Sequence, residues 1–427
     1  MFFYSTRDKN NRKSVSAAIL QGLAEDGGLF VPEYFPQINL TKLDPNLSYP
    51  EFAALILQEY FQGDELADQL AAICHNAFNF PLSIQQLDNS TAVMELFHGP
   101  TLSFKDFGAR FLAECLSRLS QERPTTIVVA TSGDTGSAVA SAFYQKPNVE
   151  VVVMFPKGQI SERQQQQITC WGDNILSVAV KGTFDDCQKI VKQAFSNNWW
   201  TTRSHLSSAN SINIARLLPQ LTYYAYTSWR HWLNQSTSVG YIIPTGNVGN
   251  STAAFWAKAM GFPIREIVLA TNANRVLAEY AVTGNFIPKP SVATIANAMD
   301  VGNPSNFERL SHLYPSWDSF KQNVKVFSAN DEEIRQIIQE VQTKFAYVMC
   351  PHTATGYFAR KQVNLNPWII AATADPCKFE TIIEPLLATK LPVATQLQTL
   401  LNHPAQLVEV NPQIEEVQQA LAKHHFA

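Results

Sequence analysis

Lys105 stands in the stretch Glu95–Arg110, ELFHGPTLSFKDFGAR, between Phe104 and the pair Asp106–Phe107, where a helix is predicted to begin. An ammonium among apolar neighbours is disfavoured, so its pKa falls and the free amine becomes a usable nucleophile. Lysines of this kind form imines with carbonyl substrates and with pyridoxal phosphate. An ordinary helix-start lysine with its head in water is the competing reading. What decides between them is the rest of the chain.

Three loops rich in small polar residues bear on that choice. The first is Thr131-Ser132-Gly133-Asp134-Thr135-Gly136-Ser137, the second runs from Thr245 to Thr252 (TGNVGNST), and the third from Ser208 to Arg216 (SANSINIAR). Glycines let several backbone N–H groups converge, and a following helix adds its positive end; together they bind phosphate. The second loop directly follows a predicted strand, has Gly246 and Gly249 three apart and carries no acid. It suits a dianion better than the first, where Asp134 would repel one. The third offers Asn210, Ser211 and then Arg216, whose guanidinium could fork onto a second phosphate or a carboxylate. Each loop alone also reads as a tight turn with a helix cap. None matches GxxxxGK[ST] or GxGxxG, which disfavours a P-loop or a dinucleotide site. One activated lysine with two anion sites suits a phosphate-bearing aldehyde cofactor and a second anionic substrate. Thr373, at the polar end of WIIAATADP, could offer its hydroxyl to a ring nitrogen.

The elements that must position these loops alternate. TIVVA, VEVVVMF, ILSVAV, YIIP, REIVLAT and WIIAA are short apolar runs, most of them followed by a turn and a helical pattern. That grammar predicts an α/β fold: two open, mostly parallel sheets flanked by helices, with functional groups at the carboxyl ends of strands. Residues 1–92 are expected to form a mainly helical segment, with EFAALILQEYF as an amphipathic helix and AEDGGLFVPEYFP as a turn-rich entry. Residues 93–234 are expected to form a first α/β domain carrying the lysine and the substrate loops. Residues 235–427 are expected to form a second, carrying the cofactor phosphate loop. Gln164–Gln167 reads as a solvated helix face. The tail NPQIEEVQQALA reads as a closing helix capped by Asn411, with Pro412 in its first turn and Ile414, Val417 and Leu421 on one face.

Composition narrows the function classes. The 427 residues are 46% hydrophobic and only 16% charged, enough for a large filled core. A net charge of −4 with no basic run disfavours nucleic acid or an anionic membrane as partner. The N-terminus has no secretory pattern, and the apolar runs are strand-sized. Six cysteines without a CxxC pair read as free thiols in a cytoplasmic protein. The nine histidines show no metal-binding spacing, so no metal is expected.

ELFHGPTLSFKDFGARF, ATSGDTGSAVA, SANSINIAR, PTGNVGNSTA, NAMDVGNPSNFERL, PHTATGY and ATADPCKF occur in that order. Together they resemble the threonine synthase family, pyridoxal-phosphate enzymes of the tryptophan synthase β-like fold (fold type II), from the N-terminal region to near Glu380. The resemblance implies pyridoxal 5'-phosphate as cofactor and Lys105 as the lysine that binds its aldehyde. It implies that Gly246, Asn247, Val248, Gly249 and Asn250 cradle the cofactor phosphate, that Thr373 meets the pyridine nitrogen and that Asp134 lies near the ring. Thr131, Ser132, Thr135, Asn210, Ser211 and Arg216 match groups around the substrate phosphate and carboxylate. The implied reaction turns O-phospho-L-homoserine and water into L-threonine and phosphate, the last step of threonine biosynthesis, in a monomer or homodimer. Three positions depart from the family pattern. Val248 replaces an aromatic, Asp375 a histidine, and Cys350 an acid ahead of PHTA. A serine or threonine dehydratase would share the lysine and glycine loop without a second phosphate site. A catalytically silent paralogue would need neither.

Overall fold

The structure is a computed structural model that describes residues 1–119, 123–131 and 133–424. The β-branched runs form strands where expected: Thr125–Ala130, Val149–Pro156, Ile175–Val180, Val239–Pro244, Ile264–Thr271 and Trp368–Ala372. TTIVVA, ILSVAV and WIIAA are buried at every residue, as strands covered on both faces must be.

They assemble into two sheets. The six-stranded sheet runs Val324–Ser328, Ile264–Thr271, Val239–Pro244, Trp368–Ala372, Thr91–Glu95 and Ser83–Asp88. Only its last pair is antiparallel. The five-stranded sheet runs Val408–Val410, Ile175–Val180, Val149–Pro156, Thr125–Ala130 and His205–Ser207, all parallel. Sheet membership therefore departs from the expected divisions at 92/93 and 234/235. Thr91–Glu95 pairs residue for residue with Trp368–Ala372, and Val408–Val410 returns to edge the earlier sheet. Parallel neighbours need a long crossover, so strands far apart in sequence can pair.

The N-terminal segment holds the expected helices Val15–Gln21, Tyr49–Phe61 and Leu70–Ala77. It also holds a three-stranded antiparallel sheet of Arg12–Ser14, Phe2–Ser5 and Phe30–Pro32. The helix Tyr49–Phe61 starts with a capping box between Ser48 and Glu51. Its buried Phe52 stacks on Trp229 of the long helix Ile214–Gln235, with ring centroids 5.1 Å apart. This segment is thus fastened to the centre of the molecule.

Two readings need correction. Gln164–Gln167 lies in the helix Glu162–Thr169, but it is not a solvated face: Gln164 is 2% exposed and Gln167 0%. Amide side chains can be buried when their hydrogen bonds are met, and both reach the site described below. The closing helix begins at Ile414 with Gln413 as cap, so Asn411 and Pro412 precede it. Its apolar face is as expected, and Leu421 is fully buried in a cluster with Val178, Val180 and Ile190. No helix among the described residues is long and apolar enough to cross a membrane.

Leu421→Ala should lower the unfolding free energy by about 2–5 kcal/mol, the usual range for a truncated core leucine. A chemical denaturation midpoint checks this, and an unchanged midpoint would mean that the tail helix is dispensable to the five-stranded sheet.

Candidate functional site

Lys105 is placed by a loop that doubles back onto the six-stranded sheet. Leu96 N–H donates to Ala372 O (3.0 Å), Phe104 N–H to Thr373 O (2.9 Å) and Asp375 N–H to Leu102 O (3.1 Å). Ser103 and Ala374 form an antiparallel bridge between them. Asp106, buried, closes the turn by accepting from Thr101 N–H (2.9 Å) and from the Thr101 hydroxyl (2.7 Å). Lys105 then opens the helix Lys105–Leu116. Its side chain is half-buried, with Nζ 5.8 Å from the Phe104 ring centroid. Burial lowers its pKa from 10.5 to about 8; Asp134 opposes that shift, while Lys378 and Arg216 add to it. A large fraction of the amine is therefore neutral near pH 8, as a nucleophile must be.

The first polar loop ends in the helix Asp134–Phe143. Gly133, at φ 140°, takes a conformation few other residues adopt, and a Cβ there would lie 2.7 Å from Gln164 Nε2. The Thr131 hydroxyl accepts from Gly133 N–H (3.0 Å) and Gly136 N–H (2.9 Å) and donates to Gly133 O (3.1 Å). These three bonds set the shape of the loop. Ser132 lies outside the described residues. Thr135 is half-buried, and its hydroxyl has no partner among the described residues. Asp134 is 5% exposed and pairs with Lys378 Nζ at 2.7 Å. Burial alone would raise its pKa, but Lys378 and Lys105 outweigh that and hold it below the usual carboxylate range. Gln164 Nε2 donates to the same carboxylate oxygen (3.3 Å).

The third loop leads into the helix Ile214–Gln235. Its cap is Asn213, whose Oδ1 accepts from Ala215 N–H (3.0 Å), and not Asn210 or Ser211. Arg216 folds back to donate through a terminal nitrogen to Ala209 O. It is 3% exposed, and its Nε has no hydrogen-bond partner among the described residues. Gly108 leaves room for it: a Cβ there would lie 2.8 Å from that Nε. Burial lowers the guanidinium pKa to about 10, against an opposing pull from Asp106, so the group stays cationic at neutral pH. A buried cation that meets one carbonyl and keeps a vacant N–H suits an anionic ligand.

The second loop joins the strand Val239–Pro244 to the helix Gly249–Ala259. Its left-handed residue is Val248, at φ 68°, and neither Gly246 nor Gly249 has a positive φ. A β-branched residue held there is strained by about 1–2 kcal/mol. The glycines serve close packing instead. A Cβ on Gly246 would lie 2.9 Å from Met299 Cα, and one on Gly249 3.3 Å from Asn306 Nδ2. The first bond of this helix runs from Thr252 N–H to Val248 O (2.8 Å). The N–H groups of Gly249, Asn250 and Ser251 ahead of it are the orphans that suit a phosphate. Asn250 Oδ1 accepts from Tyr223 (2.5 Å) and Tyr224 (2.9 Å), which leaves its buried Nδ2 without a partner. The buried Thr252 hydroxyl is likewise unpartnered. These vacant donors fit the phosphate of pyridoxal phosphate. Thr373, 7% exposed, follows the strand Trp368–Ala372, and its hydroxyl has no partner among the described residues.

Sequence reasoning missed the groups that hold these loops together. Asn306 N–H donates to Asn247 O (3.1 Å), while its Nδ2 lies 3.2 Å from both the carbonyl and the hydroxyl of Ser211. One side chain thereby couples the second and third loops. Arg309, fully buried, donates to Asn306 Oδ1 (2.7 Å), Ser211 O (3.3 Å), Ile212 O (2.7 Å) and Phe30 O (3.0 Å). His352 Nε2 accepts from Ala298 N–H (3.1 Å), and burial pushes its pKa down to about 4, so it is neutral. Two of the departures are local caps. Asp375 Oδ1 accepts from Cys377 N–H (2.8 Å), and Cys350 Sγ from Thr353 N–H (3.5 Å).

Comparison with known proteins agrees with this geometry. The family described as pyridoxal-phosphate dependent enzyme matches residues 83–371, and that described as threonine synthase N terminus matches residues 2–78. The chain is 38% identical over 402 residues to the threonine synthase of Escherichia coli (strain K12), covering 93% of this chain and 94% of that one. It is 39% identical over 401 residues to that of Haemophilus influenzae, covering 93% and 94%. The crystal structure of pyridoxal-phosphate-bound threonine synthase from Brucella melitensis superposes with a TM-score of 0.93 at 30% identity, covering 100% of both chains.

Two outcomes follow. Pyridoxal phosphate added to the cofactor-free protein should give a lysine-bound absorbance band whose rate of appearance rises with pH, half-maximal near 8. A rise only above pH 10 would mean that the Lys105 amine is not perturbed. Asn306→Ala should weaken both cofactor affinity and substrate KM, each by roughly fivefold or more, the worth of about 1 kcal/mol per lost bond. Equilibrium dialysis and steady-state kinetics on one preparation would expose a change confined to one ligand, contrary to the coupling.

Proposed function

This chain belongs to the threonine synthase family, and from that membership we propose that its site converts O-phospho-L-homoserine and water into L-threonine and phosphate. One observation carries the reading. Arg216, buried near Lys105, has an Nε that no group among the described residues meets, so a second anion besides the cofactor phosphate suits the site.

Lys105 Nζ would hold the aldehyde of pyridoxal phosphate. The N–H groups of Gly249, Asn250 and Ser251, with Asn250 Nδ2, would hold its phosphate. Thr373 would meet the ring nitrogen, and Asp134 would lie beside the ring. When bound, pyridoxal phosphate supplies an electron sink for charge developing on the substrate. Asn210, Ser211, Thr135 and Arg216 bind the substrate's anionic groups and fix its Cα near Lys105. As a free amine, Lys105 Nζ takes the Cα proton and then a Cβ proton, delivers one to Cγ as phosphate leaves, and returns one to Cα after water has added. Arg216 meets the charge that grows on phosphate as its carbon–oxygen bond breaks, and water then adds at Cβ. A serine or threonine dehydratase needs no such cation, and in one Arg216 would stay buried without a ligand. All six cysteines are buried free thiols, which supports a reducing compartment such as the cytoplasm.

Arg216→Leu should lower kcat/KM for O-phospho-L-homoserine roughly tenfold to a hundredfold, since a charge-assisted hydrogen bond contributes about 1.5–3 kcal/mol. Cofactor loading should be unchanged. Lost cofactor with intact substrate affinity would mean that the two anion sites are exchanged. No effect on either would favour the dehydratase.

A further inference from the structure

Asp134 is ion-paired to Lys378 and interacts electrostatically with Lys105. Lys378, 0% exposed on the turn Pro376–Phe379, donates to Asp134 Oδ1 (2.7 Å) and to Thr101 O (2.8 Å). Gln167 Nε2 donates to the same carbonyl (3.2 Å), and Gln164 holds the carboxylate oxygen from the other side. Thr101 is in turn fixed to Asp106, the residue next to Lys105. The ammonium, its carboxylate partner and the first turn of the lysine helix are therefore held in one rigid arrangement.

We propose that Lys378 is a positioning residue that occupies the Asp134 carboxylate and so prevents Asp134 from trapping Lys105 as an ammonium. The proposal rests on the reading that Lys105 captures pyridoxal phosphate, and it adds what keeps that amine free. A single buried carboxylate facing Lys105 alone would pair with it and stabilise its charged form. With Lys378 in place the carboxylate is already paired, which weakens its pull on Lys105, and the second ammonium repels a charge there. The other charged or titratable groups around this pair are Asp106 beside Lys105, Arg216 from the helix Ile214–Gln235, and His352 and Cys350 from the start of the helix Pro351–Arg360. His352 is neutral, and burial raises the Cys350 thiol to about 11, so neither replaces Lys378 as a cation or Asp134 as an anion near pH 8. Asp106 is occupied by Thr101, and Arg216 lacks a carboxylate of its own. Lys378 is thus the group that sets which partner Asp134 takes.

The test is the pH at which cofactor-free protein captures added pyridoxal phosphate half-maximally, followed by the lysine-bound absorbance band without substrate. Lys378→Met should raise that midpoint by roughly one unit or more, the usual effect of a close charge. Asp134→Asn should lower it, because the attraction that favours the ammonium is gone. The double variant should return towards the unmodified protein, since both opposing charges are removed. Circular dichroism and a cooperative melt identify the variants that fold. An unmoved or lowered midpoint in folded Lys378→Met overturns the proposal while leaving Lys105 as the capturing group. Should Lys378→Met not fold, Asp134→Asn decides, and a midpoint that stays or rises overturns the proposal. Capture that survives Lys105→Ala would overturn both this proposal and the functional reading beneath it.

Discussion

The seam between residues 102–104 and 373–375 is the constraint on which the site depends. Two backbone hydrogen bonds, Phe104 to Thr373 and Asp375 to Leu102, flank the Ser103–Ala374 bridge. They stitch the segment leaving Thr91–Glu95 to the end of its parallel neighbour Trp368–Ala372. Short as it is, the seam fixes three things at once. Lys105 starts its helix one residue beyond it on one side. On the other, Thr373 lies within it and Lys378 follows one turn later. Backbone bonds between buried groups tolerate little slippage, because each broken pair leaves two polar groups without water. Asp106, by clamping Thr101, and Asp375, by capping the turn Pro376–Phe379, keep the two sides of the seam in the same shape.

Charge balance explains why the structure is suited to anionic ligands. Lys378 has Asp134, and Asp106 has two bonds from Thr101. Arg309 has no carboxylate but meets three backbone carbonyls and an amide oxygen. Arg216 is the exception, with one carbonyl and an unpartnered Nε. Burying an ion without a partner costs several kcal/mol even after relaxation. A ligand that neutralises Arg216 recovers part of that cost, whereas a neutral ligand does not. The vacant Asn250 amide and helix-start N–H groups apply the same logic to the other loop. What the protein leaves unsatisfied in each of these two loops is thus complementary to an anion.

The strands and most helices were legible because their signal is local: apolar runs of strand length, glycine-rich turns, then helical periodicity. The helix start at Lys105 and the glycine loop between Val239–Pro244 and Gly249–Ala259 were legible for the same reason, since each signal lies within a few residues of sequence. What escaped depends on partners far away in the chain. Lys378 meets Thr101 across 277 positions, and Asn306 meets Ser211 across 95. Nothing in a glutamine run says that two of its amides will be buried against Asp134 and Thr101. Sheet membership escaped too, because Val408–Val410 and Thr91–Glu95 join strands remote in sequence. At Val248 the local rule failed outright: the left-handed position falls on a β-branched residue between two glycines that do not use their freedom.

The N-terminal segment is part of the site's support and not an appendage. Arg309 reaches Phe30 O with one nitrogen and Ser211 and Ile212 with others. From the opposite side, Asn213 Nδ2 donates to Ile19 O (2.9 Å) while Asn213 Oδ1 caps the Arg216 helix. The loop that carries Asn210 and Ser211 is therefore held between two N-terminal elements, the strand Phe30–Pro32 and the helix Val15–Gln21. Glu308, next to Arg309, accepts from the Thr6 hydroxyl and from Arg7. Each of these bonds is modest alone, but they converge on one loop of irregular backbone that has no sheet to stabilise it. Such loops are held by what packs against them. Aromatic stacking of Phe52 on Trp229 adds a contact with the long helix that begins at Ile214. The glycine loop after Val239–Pro244 is tied to the same segment through Asn306 and Arg309, and the helix it opens is tied to it through Gln37, which donates to Ala259 O (2.8 Å).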